Sequence, residues 1–274
     1  MQQKIIPNEI YFKDLVSKIK AWGYEKLHIL ADFDRTLTKC FTAWVKRWTL
    51  ISVLRSEWYL SEEYTKKAYE LFDYYNPIEI NPSIPLPEKK KEMTIWWNKH
   101  LDLLVRSNLH KSHIDRVINS WIIEFRDGVV EFLNFLSENN IPLVIISANG
   151  LWTDSIKLFF EKNNVLTSNV YIISNSFVWW DDNIAVWYDK RVVHVFNKDE
   201  TILSDFPEIH EKIENRKNVI LLWDSLWDPL MIEWFEYDNL LKIWFLNEKE
   251  EELEESYRKS YDLILTWDSD FSVR

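Results

Sequence analysis

The stretch LHILADFDRTLT, residues 27–38, decides the fold because it joins a short apolar run to a pair of carboxylates. Its first five residues, Leu27–Ala31, predict a buried strand. Asp32 and Asp34 follow directly, where the strand gives way to a turn. Two carboxylates one residue apart are costly to hold together, since like charges raise each other's pKa, and a bound cation removes that cost. An isolated pair of this kind also suits a surface turn with a helix-capping aspartate.

Further short runs rich in β-branched and aliphatic residues predict more buried strands. They are Leu143–Ser147, Val170–Ser174, Val219–Leu222, Leu240–Phe245 and Leu263–Thr266. Helical patterns such as Asp127–Asn139 and Thr153–Asn163 lie between most of them. Strands that alternate with helices are typical of a parallel sheet covered on both faces. We therefore predict an α/β fold with a Rossmann-like parallel sheet, beside which Ala185–Trp187 and Val192–Phe196 form a small β-hairpin.

The segment from residue 41 to residue 126 breaks this alternation. It contains no good strand, and its helical patterns are Glu62–Tyr75, Glu88–Arg106 and Ser112–Ile123. We interpret it as a helical cap inserted after the first strand. The predicted domains are a core of residues 1–40 and 127–274 and a cap of residues 41–126.

The composition of the 274 residues excludes several classes of protein. A single cysteine, Cys40, cannot form an internal disulfide, and no run approaches the roughly 18 apolar residues of a membrane span. The first ten residues, MQQKIIPNEI, lack the apolar segment of a secretory signal, which predicts a cytoplasmic protein. A net charge of −11 argues against a nucleic acid polymer as partner, because phosphate backbones are bound by excess Lys and Arg. A small phosphate ligand that arrives with a metal ion stays compatible with this charge.

Other polar residues follow the later predicted strands, and open α/β sheets bind ligands at the carboxyl ends of their strands. Ser147 and the backbone amide of Ala148 precede a predicted helix, which suits an anion, although a plain helix cap explains the same residues. Asp224 and Asp228 follow the fourth run as a second pair of carboxylates. Lys198 follows the predicted hairpin, and a lone lysine is usually on the surface.

Together and in this order, these motifs resemble those of the haloacid-dehalogenase-like (HAD-like) phosphatase superfamily. Its pattern is DxDxT, then Ser or Thr after a second strand, then Lys, then Gly-Asp…Asp. The segments DFDRTLT, IPLVIISANG, HVFNKDE, LLWDSLWD and LLKIWFLN resemble, more narrowly, the cytosolic pyrimidine 5'-nucleotidase family, over nearly the whole chain. The resemblance implies a HAD-like core with a cap, and Mg²⁺-dependent hydrolysis of nucleoside 5'-monophosphates of pyrimidine or 7-methylguanosine type.

The resemblance also implies the catalytic roles. Asp32 would attack phosphorus and form an aspartyl-phosphate, which splits the hydrolysis into two easier steps. Asp34 would protonate the leaving ribose oxygen and later deprotonate the attacking water. The carboxylates of Asp32 and Asp224 and the backbone carbonyl of Asp34 would hold Mg²⁺.

The same resemblance implies how the phosphate is held. Ser147, the Ala148 amide and Lys198 would bind the phosphoryl oxygens and stabilise the charge that grows in the transition state. Asp228 would not bind the phosphate itself but would orient a metal-bound water or Lys198.

Substrate choice is expected to come from the cap. A cap glutamate contacts the nucleobase in the resembled family, and Glu79 in NPIEI, residues 76–80, matches that motif. A carboxylate can accept from the amino group of cytosine or from the N–H groups of 7-methylguanine. His100 aligns with a serine of characterised members, a departure that leaves the preferred base open. Trp96 and Trp97 either stack on a base or pack within a cap helix.

The chain has 3 glycines and 16 tryptophans, whereas an average usage of about 7% predicts roughly 19 glycines. Seven tryptophans stand at motif positions, or in turn or strand contexts, where glycine would fit the sequence: Trp152, Trp187, Trp223, Trp227, Trp234, Trp244 and Trp267. Trp152, Trp223 and Trp227 fall where the resembled family has glycine, and the resemblance implies that the backbone approaches metal and phosphate closely there, which is a use of glycine. We hypothesise that their codons are UGA, which one variant code reads as tryptophan and another as glycine. The chain with tryptophan at these positions is then expected to be poorly active.

Two alternatives stay open at this point. The same core would serve a phosphatase of another small phosphomonoester such as phosphoserine, although Glu79 favours the nucleotidase. If the tryptophans are genuine, the chain is instead an inactive phosphate-binding relic. We expect a nucleoside monophosphate as partner, no nucleic acid polymer, no membrane and a monomeric state.

Overall fold

A computed structural model of the chain describes residues 4–42, 45–46, 49–151, 153–189, 191–198, 200–224, 236–248 and 258–271. The strands are β1 (Lys4–Ile5), β2 (Leu27–Ala31), β3 (Phe41–Thr42), β4 (Val45–Lys46), β5 (Leu143–Ile146), β6 (Val170–Ile173), β7 (Phe177–Trp179), β8 (Ala185–Tyr188), β9 (Asn218–Trp223), β10 (Asn239–Leu246) and β11 (Leu263–Thr266). The helices are α1 (Glu9–Trp22), α2 (Leu50–Ser56), α3 (Glu62–Ile80), α4 (Leu86–Arg106), α5 (Lys111–Asn119), α6 (Val129–Glu138), α7 (Thr153–Lys162), α8 (Glu200–Leu203) and α9 (Pro207–Ile213).

Seven strands form the main sheet in the order β1-β11-β10-β9-β2-β5-β6. Neighbouring strands are parallel except β1 and β11 at one edge, which are antiparallel. Strand β2 lies between β9 and β5, and all five of its residues are buried. The predicted α/β fold with a parallel sheet is confirmed.

Helices cover both faces of this sheet. In β2, Ile29 and Ala31 belong to one apolar cluster, together with residues of α6 and α7, while Leu30 belongs to a second cluster with residues of α8 and α9. Side chains that alternate between two clusters show that each face of the strand is packed against its own layer. Burial on both faces explains why the strands are nearly continuous apolar runs in the sequence.

The prediction of the small hairpin is wrong in one of its two strands. Strand β8 pairs with the preceding β7, with Phe177 opposite Tyr188, and not with Val192–Phe196. The latter stretch forms no strand because side-chain amides bind its backbone instead. Asn175 accepts from the N–H of Val193 at 2.8 Å and donates to its carbonyl at 3.0 Å.

The helical segment predicted as a cap contains α2 to α5, which lie between β2 and β5 along the chain. Helix α3 continues through Pro77 to Ile80, past the predicted end at Tyr75. The segment also begins with the short antiparallel pair β3 and β4, which the pattern did not predict. The pattern missed α1 as well, whose N-cap Asn8 accepts from the N–H of Tyr11.

The chain enters and leaves this helical segment at one place. Thr38 and Phe125 form an isolated antiparallel bridge. The N–H of Lys39 donates to the carbonyl of Glu124, and the N–H of Arg126 donates to that of Leu37, both at 2.9 Å. These bonds hold the two crossings side by side next to the turn that carries Asp34. None of the helices in the described ranges combines the length and hydropathy required to cross a membrane.

Candidate active site

Asp32 lies at the carboxyl end of β2, which has a parallel neighbour on each side. Its N–H continues the ladder by donating to the carbonyl of Leu222 in β9 at 3.1 Å. The side chain is buried, and Lys198 donates from Nζ to its Oδ2 at 2.7 Å. Lys198 is only 3% exposed, so it is not the surface lysine that a lone residue of this type would suggest. The structure brings together two predicted site residues that are 166 positions apart in the chain.

Asp34 lies two residues further on, and its carboxyl group faces the start of α2, where Oδ1 accepts from the N–H of Leu50 at 3.4 Å. Burial raises the pKa of Asp34 to about 7, and the negative charge of Asp32 contributes to that rise. The positive charges of Arg35 and Lys198 oppose it. A carboxyl group that titrates near neutral pH can donate a proton in one step and accept one in the next.

Asp224 follows β9, the direct neighbour of β2 in the sheet. Burial raises the pKa of the Asp224 carboxyl, and the charge of Asp32 adds to the effect, while Arg35, Lys198 and Arg126 oppose it. Carboxyl groups whose pKa is raised by burial and by a neighbouring carboxylate are typical of a site that holds a cation. Arg35, which the sequence reasoning did not single out, is a nearby positive charge within the protein itself.

The chemistry of the donors fits magnesium. In the described part of the chain, no three His, Cys, Asp or Glu side chains converge on a metal position. The predicted set needs two carboxylates, from Asp32 and Asp224, and the backbone carbonyl of Asp34, which are all oxygen donors. Mg²⁺ prefers oxygen ligands and keeps several waters, whereas Zn²⁺ prefers nitrogen and sulfur. Asp228, predicted to stand behind this set, lies outside the described residues.

Ser147 and Ala148 lie at the end of β5, the other neighbour of β2, and thus at the same sheet edge as Asp32. Ser147 is buried, and its Oγ accepts from the N–H of Asn149 at 3.2 Å. Its N–H donates to the carbonyl of Ile173 in β6 at 2.9 Å. Their contact with a phosphoryl group stays a prediction, as do the other assigned roles.

Asn175 is a residue of this edge that the sequence reasoning missed. Besides binding Val193, its side chain donates to the carbonyl of Asn149 at 3.3 Å. It therefore joins the loop of Ser147 to the loop that leads to Lys198. The signal was present, because Asn175 directly follows a predicted strand, where ligand-binding residues of such sheets are found.

Glu79 lies in the last turn of α3 and is half-buried between the helical segment and the core. Burial raises the pKa of Glu79 to about 7, while the positive charges of Arg35, Lys89 and Lys198 oppose the rise. Two of these charges, Arg35 and Lys198, also act on Asp34. The structure thus brings the predicted base-contacting glutamate into electrostatic range of the residues around Asp32.

His100 is buried in the helical segment, where Nε2 lies 3.2 Å from the hydroxyl of Tyr64. Burial lowers the pKa of His100 to about 3, so the imidazole is neutral at physiological pH. Trp96 stacks on Tyr75 at 5.7 Å between ring centroids, which favours packing over base stacking for this residue. Trp97 instead packs against Gly150, three residues after Ser147. Its ring lies so close that a Cβ at position 150 would be 2.5 Å from it.

The structure separates the suspect tryptophans into two groups. Trp267 has a φ of 54°, the left-handed region that favours glycine, as do Trp58 and Trp121 at 55° and 58°. Trp187, Trp223 and Trp244 lie in strands, where any residue fits the backbone conformation. The remaining three of the seven lie outside the described residues: Trp152, Trp227 and Trp234.

Trp223 is nevertheless an unusual neighbour for the site. Its indole is fully buried, and within the described residues its Nε1 has no hydrogen-bond partner. Lys198 Nζ lies 5.1 Å from the centre of the ring. A buried N–H without a partner costs about 1–3 kcal/mol, so the indole is poorly accommodated between β9 and the lysine.

Comparison with known proteins gives three kinds of match. The family model described as pyrimidine 5'-nucleotidase (UMPH-1) matches residues 35–274. The 7-methylguanosine phosphate-specific 5'-nucleotidase A of Xenopus laevis is 33% identical over 262 residues, which cover 95% of this chain and 89% of that protein. The human 7-methylguanosine phosphate-specific 5'-nucleotidase is 32% identical, with coverage of 95% and 86%.

Among solved structures, cytosolic 5'-nucleotidase IIIB bound to cytidine matches with a TM-score of 0.86 at 26% identity, over 98% of this chain and 90% of that one. A phosphoserine phosphohydrolase-like protein from Francisella tularensis matches with a TM-score of 0.52 at 18% identity, over 86% and 94%. The second likeness concerns the fold alone and confirms the HAD-like architecture.

Proposed function

The chain belongs to the pyrimidine 5'-nucleotidase family, and from this we propose that it hydrolyses nucleoside monophosphates of 7-methylguanosine or pyrimidine type through an aspartyl-phosphate. Nucleoside monophosphate 5'-nucleotidase activity is common to the family. The choice of base is supported by two findings. Relatives of the chain are 7-methylguanosine phosphate-specific 5'-nucleotidases, and a similar solved structure is bound to cytidine. The observation that carries the proposal is the position of Glu79, which lies near enough to Arg35 and Lys198 for their charges to act on its carboxyl group.

The proposed reaction has two balanced steps. An oxygen of Asp32 forms a bond to phosphorus while the bond from phosphorus to the ribose oxygen breaks. Asp34 gives its proton to that oxygen, and the nucleoside leaves. Asp34, now a carboxylate, takes a proton from a water that attacks the phosphorus, which restores Asp32 and releases phosphate. A pKa of about 7 for Asp34 suits both transfers.

Lys198 has two functions in this proposal. Its ion pair orients the Asp32 carboxylate at the end of the strand before substrate arrives. When the phosphoryl group is present, the same ammonium group stabilises the negative charge on its oxygens. Ser147 Oγ and the Ala148 amide lie at the same sheet edge and complete the set of donors.

The metal we propose is Mg²⁺, held by the carboxylates of Asp32 and Asp224 and the carbonyl of Asp34. When bound, it would neutralise phosphate charge and polarise phosphorus for attack. It would also offset the charge of Asp32, which adds to the effect of burial on the pKa of Asp224.

Magnesium is expected to raise the thermal unfolding temperature of the chain in a concentration-dependent manner, because it binds only the folded state. Asp224→Asn should abolish most of this shift, since it removes a charged ligand. The matched control is Asp238→Asn, which changes an exposed aspartate at the opposite end of β10. Differential scanning fluorimetry with MgCl₂ measures the shift without any need for turnover. Equal shifts in the Asp224 variant and the unchanged chain would contradict the assignment.

Phosphate release should be measured with CMP, UMP, 7-methyl-GMP, AMP and phosphoserine in the presence of Mg²⁺. We expect the pyrimidine and 7-methylguanosine nucleotides to be preferred. Glu79→Gln should lower kcat/KM for the preferred nucleotide by about tenfold or more, because a charge-assisted hydrogen bond is lost. Glu70→Gln, an exposed change on the same helix, is the control. The tryptophans in the motifs are expected to lower activity. The assay is therefore run on the chain and on a glycine variant that carries Trp152→Gly, Trp223→Gly and Trp227→Gly.

Preferred turnover of phosphoserine in that screen would overturn the nucleotidase proposal in favour of the other small-phosphomonoester enzyme. The fold likeness to a phosphoserine phosphohydrolase-like protein does not favour it. A cytoplasmic, monomeric enzyme also stays our prediction.

A further inference from the structure

Arg126 is a buried charge at the point where the chain returns from the helical segment to the core. Its side chain is 0% exposed, and its guanidinium lies 4.6 Å from the centre of the Phe245 ring. Burying a charge is costly unless it is paired and hydrogen-bonded. The partners of this guanidinium therefore indicate its purpose.

Two of these partners belong to the turn that carries Asp34. Arg126 donates from Nε to the carbonyl of Thr36 at 2.8 Å, and from an Nη atom to the carbonyl of Arg35. Arg35 has a φ of 60°, in the left-handed region that is strained for a residue other than glycine. The carbonyl of this strained residue also accepts from Nδ2 of Asn247 at 3.1 Å. The turn thus keeps its shape because two buried side chains bind the residue next to Asp34.

The other partners lie directly after β10 and β11, at the carboxyl ends of these strands. Arg126 donates to Oδ1 of Asn247 at 2.6 Å and to the carbonyl of Trp267 at 3.1 Å. It also forms an ion pair with Asp268 at 3.2 Å. Asp268 in turn accepts from the N–H groups of Cys40 and Phe41, at 2.6 and 2.7 Å.

We propose that Arg126 is a positioning residue for hydrolysis: its guanidinium holds the turn after β2 so that the Asp34 carboxyl is correctly placed, and joins this turn, through Asp268, to the start of the helical segment at Cys40 and Phe41. The inference rests on the proposed function, because Asp34 is the acid and base of that reaction. Lys198, Ser147 and Glu79 lie on other segments, so the loss of Arg126 affects the chemical step more than substrate binding.

The test compares Arg126→Lys with Arg216→Lys. Arg216 is a matched control because it also donates to three backbone carbonyls, those of Tyr24, Leu27 and Asn140, but at the amino end of β2. Lysine keeps the charge at both positions and cannot reproduce the planar fork of donors. The Asn247→Ser variant removes the other side-chain amide that donates to the Arg35 carbonyl, which is a milder change. It decides the test if Arg126→Lys does not fold.

Hydrogen–deuterium exchange on the full chain gives a readout that needs no activity. We expect faster exchange of the amides of residues 33–41 in Arg126→Lys and Asn247→Ser, and unchanged exchange there in Arg216→Lys. Kinetics are measured in the protein that hydrolyses nucleotide, which is either the chain or the glycine variant. In that protein, Arg126→Lys should lower kcat by about 10- to 100-fold with little change in KM. Arg216→Lys should leave kcat within about twofold.

Unchanged exchange at residues 33–41 overturns the proposal, and so does an equal loss of kcat in the two lysine variants. If neither protein hydrolyses any nucleotide, the proposed function fails, while the exchange pattern still decides the role of Arg126 in holding the turn.

Discussion

Changing Trp152, Trp223 and Trp227 to glycine is expected to raise nucleotidase activity by about a hundredfold or more. The reason is positional, since a displacement of about 1 Å in an active site costs a rate of that size. The Trp223 indole lies beside Lys198 and precedes Asp224, so it affects both the phosphate donor and a proposed metal ligand. Phosphate release from 7-methyl-GMP or CMP with Mg²⁺ measures the change.

Trp96→Gly is the control for this experiment. Trp96 packs on Tyr75 inside the helical segment, where loss of the indole leaves a cavity, so this change should lower stability and bring no gain in activity. Equal activity of the glycine variant and the chain as it stands would refute the hypothesis. The gene offers an independent test, because UGG codons at the three positions would also exclude a decoding difference.

The backbone extends the hypothesis to positions that motif matching did not reach. Trp58 and Trp121 share the left-handed conformation of Trp267, although neither lies in a catalytic motif. An indole there has no conformational advantage, and all three side chains are substantially exposed. In contrast, Trp187 and Trp244 occupy regular strand positions, so the structure offers no conformational reason for glycine at these two.

Asp32→Asn is expected to abolish turnover in any version of the protein that is active, with a loss of at least about 10³-fold. An amide cannot form the covalent phosphoenzyme, and removing a nucleophile has effects of this order or larger. Asparagine has nearly the same shape and keeps an oxygen that can accept from Lys198. The loss should therefore appear in kcat, as measured by single-turnover phosphate release.

The fold of Asp32→Asn is checked by circular dichroism and thermal unfolding. Asp189→Asn, on the exposed end of the hairpin, serves as a control for general effects of losing an aspartate. Residual activity within about tenfold of the parent protein would contradict the proposed covalent mechanism.

Much of the fold could be predicted because the central strands are buried on both faces. The run Leu27–Ala31 has the predicted bounds, since a strand of this kind needs an apolar residue at nearly every position. The predicted end of α3 at Tyr75 is wrong, because the helix continues through Pro77 to Ile80. Helix α1 has few buried residues, Leu15 and Ile19, and its weak apolar stripe explains why it escaped notice.

The site was harder to predict where a residue acts through the backbone of another. Asp32, Asp34 and Asp224 could be found because carboxylates at strand ends carry a recognisable chemistry. Asn175 and Arg126 act by binding carbonyl and amide groups far away in the chain, and no local spacing records those contacts. The mispaired hairpin has the same origin, because the amide of Asn175 replaces the strand partner that the apolar pattern implied.

The side-by-side crossings at Thr38 and Phe125 mean that the intervening segment leaves the core and returns to it at one place. Antiparallel bridge partners have Cα atoms only about 5 Å apart, so a short turn could close the chain there without disturbing the sheet. Insertions whose two ends lie close together are tolerated by the fold that receives them. The sheet and its aspartates can thus stay constant while one continuous piece of gene, which encodes the segment that we propose selects the substrate, changes.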